Sequence, residues 1–184
     1  MKQVYAFLAE GLEEVECLAA VDVMRRAGLE VLLVSISDTL EVTGSHHITI
    51  KADALMKDID FDEADVLFLP GGMPGTLHLK NCQPLCQALL QFHKEEKRIA
   101  AICAAPSVLG ELGILKGRQA TCYPGFEEVL AGAFYTSQGV ITDGHITTAR
   151  GLGYALDLGL EITALLLGEE KAAEIKKAIQ YDQA

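Results

Sequence analysis

Apolar positions fall into short β-branched and aromatic runs separated by stretches with helical spacing, and that alternation predicts the elements. Gln3–Leu8 reads as a strand buried on both faces. Val15, Leu18, Val21 and Met24 then recur as the apolar stripe of a helix, with Gly28 as its stop. Leu29–Ile36 is the next strand, Val42–Ile50 an added strand or hairpin arm, and Val66–Leu69 a further buried strand ended by Pro70, Gly71 and Gly72. Asn81 is read as the cap of a helix running to about Glu96, after which the strand Ile99–Ile102 delivers Cys103. A short helix near Val108–Leu112 and a strand at Gln119–Cys122 follow. Val140–Thr142 and Ile146–Ala149 flank Asp143-Gly144, a hairpin signal. The C-terminal part is helical over Tyr154–Leu167 and, beyond Gly168, from Glu169 to about Ile179. Strands alternating with helices predict an α/β fold, a mainly parallel sheet with helices on both faces.

Composition narrows the partners. The 184 residues, without repeat, low-complexity tract or linker, are expected to form a single domain over 1–184. A net charge of -11 excludes the clustered Lys and Arg that neutralise phosphates, and it disfavours adsorption to anionic membranes. No apolar run is long enough to span a bilayer, so the expected compartment is the cytoplasm. Five cysteines, Cys17, Cys82, Cys86, Cys103 and Cys122, lack a disulfide spacing and read as reduced thiols. Cys82 and Cys86 lack a third and fourth ligand nearby, and no metal is expected.

In such folds ligands bind beyond the carboxyl ends of the strands, where strand order reverses. That rule gathers Glu10–Glu16, Pro70–Gly75 and Cys103–Pro106. Cys103 stands at a strand-to-helix switch, where unpaired N–H groups and the helix dipole would favour thiolate; Pro106 suits the first helical turn. A buried, inert thiol is the alternative. Glu13 and Glu14 are explained by the dipole of the first helix, whereas Glu16 interrupts an apolar surface. Facing Cys103, it would share a proton with the thiol, lowering the thiol pKa and raising its own. Gly71 and Gly72 form a tight turn or bring a backbone N–H to the reacting group, with the Ala104 N–H as the second oxyanion donor. His46, His47, His78, His93 and His145 are read as solvated surface side chains, His78 in the loop after the glycines. Tyr123, before Pro124, is placed at the pocket or in rim packing.

Five stretches, Ala9 to Glu16, Val21 to Gly28, Leu69 to Gly72, Ala100 to Pro106 and Thr148 to Gly151, resemble in order and spacing the ThiJ/PfpI superfamily, in its branch of small proteins related to the Parkinson-disease-associated protein deglycase. The resemblance implies a flavodoxin-like three-layer sandwich, a homodimer and no cofactor. It implies a nucleophilic, oxidation-sensitive Cys103, a proton-sharing Glu16 and oxyanion donors at Gly72 and Ala104. Tyr123, His46 and Arg150 are further pocket candidates, His46 reaching the partner's site in a dimer. Tyr123 stands where some members with glyoxalase activity carry histidine, and a phenol of pKa about 10 is a poor base near neutrality.

Three functions compete. The first is a cysteine-dependent enzyme turning a small aldehyde or dicarbonyl such as methylglyoxal into a hydroxy acid through a hemithioacetal. The second is a redox sensor or stress chaperone acting through oxidation of Cys103. The third, a peptidase or amidase, would need an imidazole beside the thiol, and the peptidase branch has one directly after the cysteine, where this chain has Ala104.

Overall fold

A computed structural model describes residues 2–181; Met1 and residues 182–184, the ends of the expected 1–184 domain, lie outside the described residues. The strands are β1 (Gln3–Leu8), β2 (Glu30–Ser35), β3 (Glu41–Thr43), β4 (Thr49–Lys51), β5 (Ala54–Leu55), β6 (Val66–Leu69), β7 (Arg98–Ile102), β8 (Gln119–Ala120), β9 (Phe134–Tyr135), β10 (Val140–Asp143) and β11 (Ile146–Ala149). The helices are α1 (Glu14–Arg26), α2 (Gly75–Asn81), α3 (Gln83–Lys94), α4 (Pro106–Glu111), α5 (Ala155–Leu167) and α6 (Glu169–Ala178).

Seven strands form one sheet in the order β10-β11-β7-β6-β1-β2-β5, parallel except for the β10–β11 hairpin. Alternate side chains of β1 enter opposite cores, as period-two geometry requires. Val4, Ala6 and Leu8 pack with Cys17, Ala20 and Met24 of α1 and with Leu158 and Ile162 of α5. Tyr5 and Phe7 pack with Leu85, Leu89 and Phe92 of α3 and with Val108 and Leu109 of α4. From β1 the chain lays β2 and β5 to one side and then returns to lay β6, β7 and β11 on the other. Order therefore reverses between β1 and β6, and the loops after β1, β6 and β7 meet at one edge.

Several local expectations are corrected. Val21 and Met24 are buried, but Val15 and Leu18 are 46% and 38% exposed, because α1 turns the small Cys17 and Ala20 inward instead. That choice lets α5 come close: a Cβ on Gly159 would lie 2.9 Å from both the Ala20 carbonyl oxygen and the Val23 Cβ. Gly159→Ala is therefore expected to destabilise the fold by about 1–3 kcal/mol through overpacking, read as a lower denaturant midpoint with unchanged slope. Asn81 ends α2 rather than capping the next helix, and His78 lies within α2 rather than in a loop. The region 42–50 is a separate β3–β4 ribbon, and β8 pairs with β9 outside the main sheet instead of running to Cys122.

His145 and His93 are also corrected. His145 is 7% exposed, and its Nε2 lies 3.0 Å from His93 Nδ1. Burial holds both imidazoles below their ordinary pKa; Arg118 adds to this for both, and His93 and Arg98 for His145, while Glu96 partly opposes it. The folded chain thus binds fewer protons than the unfolded one, so this contribution is intact above about pH 6.5 and is lost as pH falls through the lowered folded values. His145→Gln should flatten the acid side of a melting-temperature profile below about pH 6.5. An unchanged slope would contradict the pairing.

Candidate active site

Cys103 follows the last residue of β7 with φ of 65°, in the left-handed region that L side chains seldom enter. The turn is clamped from both sides. The Cys103 N–H donates to the Ala149 carbonyl at 2.9 Å, and the Cys103 carbonyl accepts from the Tyr123 N–H at 2.8 Å. Its side chain remains partly exposed. Helix α4 has six residues and begins at Pro106, three positions beyond Cys103, with Ala105 as its N-cap. The N–H groups of Gly72 and Ala104 reach the sulfur.

Glu16, in the first turn of α1, is 1% exposed. Glu13 fixes that turn as its N-cap, accepting the Glu16 N–H at 2.6 Å. A Cβ on Gly71 would lie 2.5 Å from Glu16 Oε2 and 2.6 Å from the Cys103 Cβ, so the absent side chain is what lets carboxyl and thiol sit together. Both roles expected of the Gly71-Gly72 pair, a tight turn and close backbone approach, leave out this one, in which Gly71 makes room for two side chains to meet. Gly72 takes φ of 90°, and a Cβ there would lie 2.2 Å from the Glu13 nitrogen.

Burial pushes Glu16 up to about 7, with the Glu13 charge adding to this, while the Cys103 thiol and the N–H groups of Gly71 and Leu152 act against it. Oε2 is buried without a hydrogen bond of good geometry among the described residues. The Cys103 thiol is pushed up to about 12 by burial, then by the Glu16 charge and hydrogen bond, and only partly relieved by Gly72 and Ala104. Sequence reasoning expected a lowered thiol pKa; the correction follows from burial, which disfavours charge on either partner. At pH 7 Glu16 is about half ionised and the thiol is protonated, so the pair carries on average about half a negative charge, and Glu16 is the member that titrates near neutrality.

Glu14 takes no part in this pair. Burial raises its pKa, but hydrogen bonds from its own N–H, the His46 ring and the N–H groups of His46 and Ile48 outweigh that, holding it below the ordinary range. His46, in the β3–β4 turn, places Nδ1 3.0 Å from Glu14 Oε2 and 3.6 Å from Glu13 Oε1 of its own chain. Ligand atoms of Glu13, Glu14 and His46 lie within 4.8 Å of one another, the arrangement among the described residues that could hold a metal ion. It sits at the N-terminus of α1, whose dipole disfavours a cation.

No histidine ring hydrogen-bonds the Cys103 sulfur among the described residues. Tyr123 is 51% exposed at the rim, and its ring faces Gly151, where a Cβ would lie 3.3 Å away. Arg150 follows β11 beside it. The segment Gly151–Tyr154 was missed from sequence, although its glycines marked a turn; a Cβ on Gly151 would lie 3.9 Å from Glu16 Oε1, so this loop covers the carboxyl. No described helix is long and apolar enough to cross a membrane.

Residues 2–165 match the DJ-1/PfpI family. Protein DJ-1 homolog B of Arabidopsis thaliana is 39% identical over 176 residues, 95% of this chain but 40% of that protein. The chain thus spans less than half the length of this relative. Protein dj-1beta of Drosophila melanogaster is 33% identical over 180 residues, covering 97% of this chain and 96% of the relative. Among solved structures, Toxoplasma gondii DJ-1 in an oxidized form superposes with a TM-score of 0.95 and 32% identity, covering 100% of both chains.

Proposed function

The chain belongs to the DJ-1/PfpI family, and from that premise we propose that it is a cofactor-independent enzyme acting on reactive dicarbonyls through Cys103 and Glu16. The observation that carries this reading is a thiol held in a strained turn beside a buried carboxyl whose pKa is raised to about 7. With methylglyoxal, Glu16 carboxylate accepts the thiol proton as sulfur bonds to the aldehyde carbon. The carbonyl oxygen takes that proton from Glu16, restoring the carboxylate, and a hemithioacetal results. Glu16 then removes the proton from that carbon and returns one to the neighbouring ketone carbon, through an enediol, giving a lactoyl thioester. Water cleaves the C–S bond, releasing lactate and restoring the thiol. The net change is addition of one water, with oxidation at one carbon balanced by reduction at the next. The N–H groups of Gly72 and Ala104 are the donors available to the developing oxyanion. Lactate formed from methylglyoxal by the purified protein tests the reading, and equal rates for wild type and Cys103→Ala would sink it.

A second reading is favoured by the buried Oε2 of Glu16 beside the sulfur and by the oxidized form of the Toxoplasma gondii relative. One peroxide converts the thiol to sulfenic acid and water, and a second gives sulfinic acid. Intact mass rising by two oxygens at Cys103, without turnover of any aldehyde, would make this the function.

We also infer a homodimer in the cytoplasm. Val15, Leu18 and Ile48 expose apolar surface on α1 and beside the β3–β4 ribbon, and the five cysteines are unpaired. A sedimentation mass of one chain would overturn the dimer.

A further inference from the structure

A cleft of about 320 Å³ is lined by Tyr123, Pro124, Arg150, Leu152 and Tyr154 with Gly151 and Gly153. Its walls adjoin the candidate site: the Tyr123 N–H donates to the Cys103 carbonyl, and the Gly151 and Leu152 backbone approaches Glu16. The Tyr154 ring covers Gly139, where a Cβ would lie 2.1 Å from it, and the Tyr123 ring lies against Gly151. Leu152 exposes half its surface between them. Clefts of about 300 Å³ and above suit ligands larger than a three-carbon dicarbonyl. The Arg150 guanidinium forms no hydrogen bond or ion pair among the described residues, in a chain of net charge -11.

We propose that this cleft receives the larger substituent of the dicarbonyl, that the preferred substituent is aromatic, and that Arg150 selects one ending in a carboxylate. The assignment rests on the Cys103 reading above. Planar rings fit between two tyrosines and a leucine, whereas a methyl group leaves that surface wet. A carboxylate at the rim gives the guanidinium the bidentate partner that the fold does not supply.

Initial rates, taken before arylglyoxals can add to guanidinium groups, should be compared for methylglyoxal, phenylglyoxal and 4-carboxyphenylglyoxal. Wild type is expected to show kcat/KM about tenfold higher for phenylglyoxal than for methylglyoxal, the scale of discrimination that apolar contact supplies. The carboxylate should add roughly fivefold more, as a partly exposed charge pair does. Arg150→Met should abolish the carboxyphenyl-to-phenyl ratio, and Leu152→Ala should cut the phenyl-to-methyl ratio several-fold. Each ratio is internal to one protein, so partial misfolding does not mimic the result. Cys103-dependent turnover of methylglyoxal at least as fast as of phenylglyoxal, or a carboxylate preference that survives Arg150→Met, overturns the cleft assignment and leaves the chemistry of Cys103 standing. Failure to turn over all three overturns both.

Discussion

Cys103→Ala is expected to lower lactate formation from methylglyoxal to background, a loss on the order of 10³-fold or more, because the covalent intermediate cannot form without sulfur. The variant should fold. Alanine accepts φ of 65° no worse than cysteine does, the Cys103 backbone bonds to Ala149 and Tyr123 do not involve the side chain, and the lost thiol is only partly buried. A thermal melt within a few degrees of wild type, alongside absent activity, separates lost chemistry from lost structure. Cys103→Ser sharpens the result, since an alcohol in the same turn keeps the shape but is a weak nucleophile even with Glu16 beside it. Retention of wild-type rate by either variant would move the reaction away from this turn.

Glu16→Gln should produce the second large effect and a different signature. In wild type the rate is expected to rise with pH through about 7, because Glu16 acts as a base only when ionised, and burial has moved that ionisation up from the ordinary carboxylate range. The amide has no proton to lose, so the limb near 7 should vanish and the rate at pH 7.5 fall roughly 10²–10⁴-fold. Alkylation of Cys103 by iodoacetamide gives an independent readout. Without the Glu16 charge the thiol pKa drops below its wild-type value of about 12, yet burial still holds it above the ordinary range. Alkylation of the variant should therefore stay slow below pH 8. Alkylation slower than wild type at pH 7 would show that Glu16 activates the thiol as a base, outweighing the charge effect that lowers the variant's thiol pKa, whereas faster alkylation would show that its charge only suppresses the thiolate.

The same substitution should stabilise the fold at alkaline pH. A carboxyl titrating near 4.3 unfolded and about 7 folded binds more protons in the folded state between those values, so stability falls as pH rises through that window. The cost above pH 7 is on the order of 3 kcal/mol, and a neutral amide escapes most of it. A higher melting temperature for Glu16→Gln than for wild type at pH 8, with little difference at pH 5, would mark Glu16 as a group whose buried charge is kept at the expense of stability.

The periodicity of the chain determined the order of most strands and helices, because each element here carries a strong apolar run or stripe and is bounded by glycine, proline or a charged turn. The gathering of Glu16, Gly72 and Cys103 was legible for a related reason. Strand-helix alternation implies a parallel sheet, and a parallel sheet brings the loops after its strands to one edge. Resemblance to a known family supplied which residues in those loops to pair. Sequence alone missed which face α1 would bury, since Val15 and Leu18 fit the apolar stripe as well as Cys17 and Ala20 do. The choice went to the small residues because α5 approaches closely at Gly159, a contact between segments more than 130 positions apart. The His93–His145 pair was hidden in the same way, joining α3 to the β10–β11 turn, whereas Tyr123 and Arg150 were expected at the pocket from the family resemblance and only Tyr154 was not. The thiol pKa departs from what the nearest helix end and a proton-sharing Glu16 imply. Its value is set by how completely tertiary packing removes water from Cys103 and Glu16, and desolvation is a property of the assembled interior that no local pattern encodes.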